Sequence, residues 1–210
     1  MKKTGILILF LAVVLTSCEQ KHELFNGKDL TGWVAYVDGS SNVSPEEVYM
    51  VQDGNLLIKG QPFGYLRTDR KYSNYTLNVE WRWTEEPSNS GIFQRVQDGD
   101  RIWCTAIECQ LCNGKAGDFV MLGGSKIQEI ECVGEFPVKD RNGDYENPAG
   151  EWNKAKIVCN GKQIKVYIND KLQNECTCEF NDGYIALQSE GGPLEFRNIY
   201  LTDYTLSANN

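Results

Sequence analysis

Tyr75-Thr76-Leu77-Asn78-Val79-Glu80-Trp81-Arg82-Trp83 decides the fold class of this chain. Apolar residues take every second position, and Thr76, Asn78, Glu80 and Arg82 fill the places between. A period of two puts the two sets on opposite faces of an extended strand, one buried and one wet. The same residues on a helix would scatter around its whole circumference.

The pattern continues outward from this strand. Val48 to Gln52 and Asn55 to Lys59 flank Asp53-Gly54, and Lys156 to Cys159 and Gln163 to Ile168 flank Asn160-Gly161. Such pairs between apolar runs mark two-residue hairpins, whose turns favour residues that accept positive φ. Gly91 to Val96, Trp103 to Leu111, Tyr184 to Ser189 and Leu194 to Leu201 add further strands. Val138 to Glu151, rich in Gly, Asn, Asp and Pro, reads as a loop. No segment sustains a helical period. Many short strands with frequent turn signals predict an all-β domain, a two-sheet sandwich or jelly roll.

The N-terminus sets an expectation about location. Lys2 and Lys3 precede an apolar run from Ile6 to Leu15, too short to span a bilayer, which reads as a cleaved export signal. Leu15-Thr16-Ser17-Cys18 resembles a lipobox, in which the cysteine is acylated and becomes the mature N-terminus. The chain then divides into a signal peptide (1–17), a lipid anchor and short tether (18–23), a jelly-roll domain (24–203) and a tail (204–210). The expected product is an exported lipoprotein, membrane-anchored in the periplasm or at the cell surface.

Composition removes several function classes. The chain carries 21 basic and 29 acidic residues, −8 in all, and loss of Lys2 and Lys3 makes the mature balance −10. Nucleic acid, bound chiefly through neutralised phosphates, is not an expected partner. The one histidine, His22, falls in the tether, outside the expected folded body. Ser-His-Asp triads, Cys-His pairs and histidine-rich zinc sites are thereby excluded, and acid–base chemistry passes to carboxylates, Tyr, Lys or Cys. Seven cysteines follow Cys18. An oxidising compartment lets some pair, and an odd number leaves at least one free or bridged between chains. Cys109-x-x-Cys112 has no second pair to complete a metal shell, so buried thiols or disulfides are expected. No cofactor is predicted; an oxygen-ligated divalent cation stays open, since such sites leave little trace in sequence.

Several segments together resemble the bacterial 3-keto-disaccharide hydrolase domain family. They are Leu24-Phe25-Asn26-Gly27-Lys28-Asp29-Leu30-Thr31-Gly32-Trp33, Asn89-Ser90-Gly91-Ile92-Phe93-Gln94-Arg95, Glu108-x-Gln110, Gly150-Glu151-Trp152-Asn153, and Gly183 to Gly192 followed by Phe196-Arg197-Asn198-Ile199. They stand in the family's order and span Leu24 to Leu201. The resemblance implies a concanavalin A-like jelly roll of the lectin and glucanase type, acting on glycosides whose C3 hydroxyl has been oxidised to a ketone. Many members of that family carry His-Gly where this chain has Glu190-Gly191, so no histidine role carries over.

Strand alternation and the resemblance together nominate the site. Ala106, Glu108 and Gln110 share one face of their strand, Phe93 and Arg95 one face of theirs, and Gln188 and Glu190 lie near the end of another. A C3 ketone acidifies the C2 hydrogen and makes the C1 substituent a leaving group, so cleavage needs a base, a partner for the enolate and an acid. The expected catalytic set is Glu108 as base, Arg95 with Gln110 at the carbonyl, and Glu190 as acid. Gln110, Gln188, Asn89, Glu80 and Arg82 are expected to bind substrate. Against this stand blander readings: Glu108 paired to Arg95, Glu80 with Arg82 as a surface ion pair, and Asn89 as a turn residue. Glucanases of this fold present Glu-x-Asp-x-x-Glu, whereas this strand reads Glu108-Cys109-Gln110-Leu111-Cys112-Asn113 and lacks both later carboxylates. The competing function is a non-catalytic, lectin-like carbohydrate-binding lipoprotein. Protein partners are not indicated.

Overall fold

The structure is a computed structural model that describes residues 21–207. In chain order its elements are β1 (His22–Glu23), β2 (Trp33–Val37), α1 (Pro45–Val48), β3 (Tyr49–Gln52), β4 (Asn55–Ile58) and β5 (Gly64–Thr68). They continue with β6 (Tyr75–Trp83), β7 (Gly91–Val96), β8 (Ala106–Gln110), β9 (Phe119–Leu122) and β10 (Val138–Lys139). The last are β11 (Asn153–Asn160), β12 (Gln163–Ile168), β13 (Lys171–Thr177), β14 (Tyr184–Ser189) and β15 (Leu194–Thr202).

The strands form two antiparallel sheets. The first runs β13-β12-β11-β6-β15-β4-β3, with β1 also paired to β15; the second runs β10-β9-β8-β7-β14-β5-β2. Their inner faces meet in one core, where Leu77, Val79, Trp81, Ile157, Val166 and Phe196 face Ile92, Ile107, Cys109, Phe119 and Leu187. The fold is all-β, a two-sheet jelly-roll sandwich, and the alternation along Tyr75–Trp83 is its plainest cause. Each buried side chain of that size contributes about 1.5–3 kcal/mol.

The outer faces of the two sheets differ. Along β6, buried and half-buried residues alternate strictly, as expected of a sheet with one wet side. β7 and β9 are buried at every position, and β14 at all but its first residue. Tyr65, Phe93, Ala106, Val120, Leu122 and Ala186 form a second apolar cluster with Cys104 on the outside of the second sheet. Loops fold over this face. Trp103, ahead of β8, packs on Phe63, ahead of β5, at 5.9 Å between ring centroids, and on Phe136 at 5.1 Å.

Several boundaries differ from the sequence reading. β8 begins at Ala106, because residues 103–105 turn. β9 escaped prediction because Phe119-Val120-Met121-Leu122, buried on both faces, shows no alternation. His22 belongs to the folded body: it lies in β1, its ring stacks on Tyr204 at 4.8 Å, and Nε2 sits 3.3 Å from the Tyr72 hydroxyl. Part of the expected tail is docked as well, with Ser73 N–H donating to Thr205 O and Thr205 N–H to Asn74 O. The seven cysteines after Cys18 are unbonded thiols. Cys18 itself lies outside the described residues.

Candidate active site

The site is a consequence of register. Glu108 on β8 pairs with Phe93 on β7 and with Val120 on β9, while Gln110 pairs with Gly91. On the other side of β7, β14 pairs Ala186 with Phe93, which brings Gln188 beside Gly91. Gln188 in turn pairs with Tyr65. Glu108, Gln110, Gly91, Phe93, Gln188 and Tyr65 therefore share the loop-covered outer face of the second sheet.

Gly91 makes room for the acid. A Cβ built at position 91 would collide with Oε1 of Glu108 and lie 2.7 Å from its Cδ. The carboxyl thus lies over the one residue of the row that has no side chain. Glu108 is 2% exposed, and its Oε1 has no hydrogen-bond donor. Burial, reinforced by the nearby Glu190 charge, pushes its carboxyl well above the usual range.

Glu190 is held differently. Gln188 Nε2 donates to Glu190 Oε2 at 2.7 Å, and the Asn89 side chain also favours the ionised form. Burial outweighs both bonds and leaves this carboxyl raised too. Glu108 is fully enclosed and raised well above the ordinary range, whereas Glu190 is only partly enclosed and keeps hydrogen bonds from Gln188 and Asn89 that favour its charge. The two carboxyls therefore separate, with Glu190 ionising first. Turn geometry supports this placement: Gly191 has φ 78°, and a Cβ there would lie 2.8 Å from Asn89 N.

Oxygen acceptors outnumber donors at this face. Glu108 Oε1, Gln188 Oε1 and Asn89 Oδ1 are all buried without a donor. Unsatisfied buried acceptors of this kind cost about 1–3 kcal/mol each, and hydroxyl groups of a ligand would satisfy them. The same three oxygens are the donors to which a hard divalent cation would come. Among the described residues, no group of three or more His, Cys, Asp or Glu is arranged to hold a metal.

Four expected site residues lie elsewhere or are otherwise engaged. Arg95 does not share a face with Phe93. It has φ 59°, at a pairing irregularity between β7 and β14, and this turns the side chain inward. Its guanidinium donates to Tyr72 O at 3.0 Å and Gly161 O at 2.7 Å, and lies 5.5 Å from the Tyr75 ring. Gln110 Oε1 accepts from the N–H groups of Leu111 and Cys112, both at 2.9 Å, and so shapes the loop beyond β8. Glu80 and Arg82 are on the other sheet, at its outer face. Glu80 accepts from Arg197 at 2.8 Å, Glu195 from Arg82 at 2.8 Å, and Trp152 packs against both guanidinium groups.

The structure adds residues that sequence reading did not nominate. Gly91 is the seat of the Glu108 carboxyl, and Phe93, Tyr65 and Cys104 wall the face. The period of two that placed Glu108 also placed Gly91 and Phe93. The loop partners Trp103 and Phe63 leave no such signal. Glu146, raised to about 7 by burial, accepts from Gly114 N at 2.5 Å and ties the 140–152 loop to the loop after β8.

Comparison with known proteins agrees with this architecture. Residues 20–202 match the family described as 3-keto-alpha-glucoside-1,2-lyase-like domain. A Bacteroides thetaiotaomicron protein named 3-keto-disaccharide hydrolase is 26% identical over 84% of this chain and 76% of its own length. A Parabacteroides distasonis protein designated a candidate glycosyl hydrolase superposes with TM-score 0.66 at 20% identity, over 87% of this chain and 93% of its own. The Bacillus licheniformis β-glucanase superposes with TM-score 0.56 at 14% identity, over 90% of this chain and 99% of its own. These two structures share the fold, and the match across nearly the whole length places this chain in the 3-keto-alpha-glucoside-1,2-lyase-like domain family.

Proposed function

We propose that this protein cleaves glycosides whose C3 carbon is a ketone, with 3-keto-disaccharides or close relatives as substrates. The observation that carries the reading is the pair of raised carboxyls, Glu108 and Glu190, on an enclosed face with unsatisfied acceptors. Family membership and the name of the Bacteroides relative support the substrate class.

The roles follow from the electrostatics and reverse the order expected from sequence. Glu190, which ionises first, is the base that removes the C2 proton. Glu108, buried and without a donor, keeps its proton and delivers it to the departing C1 oxygen. The C2–H electron pair forms the C1–C2 double bond as the C1–O bond breaks, leaving an unsaturated ketone and a free alcohol. Addition of water to that ketone completes hydrolysis. A raised base pKa suits carbon-acid chemistry, because general bases work best near the operating pH. Phe93 and Tyr65, with the loop carrying Trp103, supply apolar walls that keep bulk water from the carboxyls.

Product analysis by mass spectrometry and NMR tests this. The protein is incubated with a 3-keto disaccharide and its unoxidised parent, with and without a chelator, beside Glu108→Gln and Glu190→Gln. Cleavage of the keto sugar alone, lost in both variants, is the expected result. Binding without cleavage of either sugar would make the protein a lectin-like capture module.

Location is part of the same proposal: Cys18 carries the lipid, and the domain works at a membrane in the periplasm or at the cell surface. Cys18→Ala then releases the protein from the membrane fraction. If it stays there, the anchor lies elsewhere.

A further inference from the structure

The outer face of the first sheet, on the opposite side of the sandwich from Glu108, carries a groove of about 550 Å³. Its lining is Thr76, Asn78, Lys156, Val158, Tyr167, Tyr200 and Thr202, with Lys21 and Asp203 at one end. Sheet register explains why a groove forms on a surface that would otherwise be flat. Tyr167, Lys156, Asn78 and Tyr200 make one row across β12, β11, β6 and β15. Val158, Thr76 and Thr202 lie in the neighbouring row. Short side chains form the floor and two tyrosines the walls. Three strand spacings separate those walls, about 14 Å.

Each wall carries a cation. Lys156 Nζ lies 4.4 Å from the Tyr167 ring centroid, and Lys21 Nζ lies 4.0 Å from that of Tyr200. Several other cations on this face meet carboxylates, Arg82 with Glu195, Arg197 with Glu80 and Lys165 with Glu175, while Lys154, exposed and outside the groove, has no such partner among the described residues. Lys21 also meets Glu23 at 2.7 Å. Lys156, over the floor of the groove, has no carboxylate partner among the described residues. On a chain whose formal charge is −8, an uncompensated ammonium in a polar groove is a positive feature against the general field.

We infer that this groove is a second carbohydrate site, and that it takes a short acidic oligosaccharide. Its volume lies within the range of about 300–1,000 Å³ found for small-ligand pockets. Tyrosine rings supply flat apolar walls for sugar ring faces, with the hydroxyl ends left wet. Thr76, Asn78 and Thr202 offer donors and acceptors to hydroxyl groups. Lys156 meets the ligand's carboxylate or sulfate. The site would hold the protein on an acidic glycan while leaving the Glu108 face free, so it stands apart from the cleavage reaction.

Titration calorimetry on the full-length protein tests this, with a trisaccharide of galacturonic acid as probe and a neutral galactose trisaccharide as control. The acidic sugar is expected to bind at least tenfold more tightly than the neutral one. Lys156→Ala and Tyr167→Ala should each weaken it about tenfold, Tyr167→Phe should retain it, and Glu108→Gln should leave it unchanged. Unchanged melting temperatures keep misfolding apart from loss of the site. Equal affinity for both sugars, no binding, or insensitivity to Lys156→Ala overturns the inference. Loss of binding in Glu108→Gln also overturns it, because the sugar would then occupy the other face. Vesicles of anionic phospholipid run in parallel; binding to them and not to the sugar would assign the groove to a membrane surface instead.

Discussion

The Glu108 carboxyl occupies the space that a side chain at position 91 would fill. A strand glycine usually weakens its sheet, yet here it seats a buried acid against the backbone of the neighbouring strand. The pairing of Gly91 with Gln110, one row from Phe93 with Glu108, makes that seat.

Gly91→Ala should therefore damage activity far more than stability. Gly91 does not have the left-handed backbone that restricts other residues, and the atoms its Cβ would meet belong to one flexible side chain. Glu108 would swing aside while the sheet stays paired. A displacement of about 1 Å at a reacting group costs on the order of 10²-fold in rate. Keto-disaccharide turnover should fall by about that factor, with the melting temperature within a few degrees of wild type. A large drop in melting temperature would mean that Gly91 serves the sheet rather than the acid.

The separation of the two carboxyls predicts a bell-shaped rate profile lying above the ordinary carboxylate range. Its rising limb is ionisation of Glu190 and its falling limb loss of the Glu108 proton. Leaving-group ability distinguishes the roles. A 3-keto glycoside with a nitrophenolate leaving group needs no acid, so it should restore much of the rate to Glu108→Gln and none to Glu190→Gln. Rescue of Glu190→Gln instead would restore the order read from sequence.

Glu108 should also cost stability where it serves function. Its carboxyl is raised in the folded state, so the folded protein holds a proton that the unfolded chain releases above its ordinary value near 4.5. Stability attached to this group is full below that pH and is lost as pH rises toward the folded value. Glu108→Gln keeps the shape without the titration. It should melt higher than wild type at pH 7–8, with the advantage vanishing near pH 4. A variant that melts lower at every pH would show that the carboxyl holds the fold together.

Much of this was legible in the sequence because period-two alternation reports a sheet with one wet face. It gave β6 and β12 their full bounds and set Glu108 on the face of its strand turned away from the core. It failed where that premise failed. β9 is buried on both faces and reads as a featureless apolar run. Arg95 sits at a pairing irregularity, and one residue in left-handed backbone sends the side chain to the opposite face. Glu80 and Arg82 alternate as expected, but nothing local tells which of two sheets a strand joins.

Arg95 offers the sharpest test of that correction. Its guanidinium, fully buried, ties Tyr72 O, just ahead of β6, to Gly161 O in the β11–β12 hairpin. Hydrogen bonds from a charged donor contribute about 1.5–3 kcal/mol each, and removal leaves two carbonyls without that partner. Arg95→Met keeps the bulk and removes the donors, so unfolding free energy should fall by about 3 kcal/mol or more in urea. The protein that remains folded should cleave a keto disaccharide at the wild-type rate, because the side chain points away from Glu108 and Glu190. A hundredfold loss of rate with stability intact would return Arg95 to the chemistry and displace the assignment made from its hydrogen bonds.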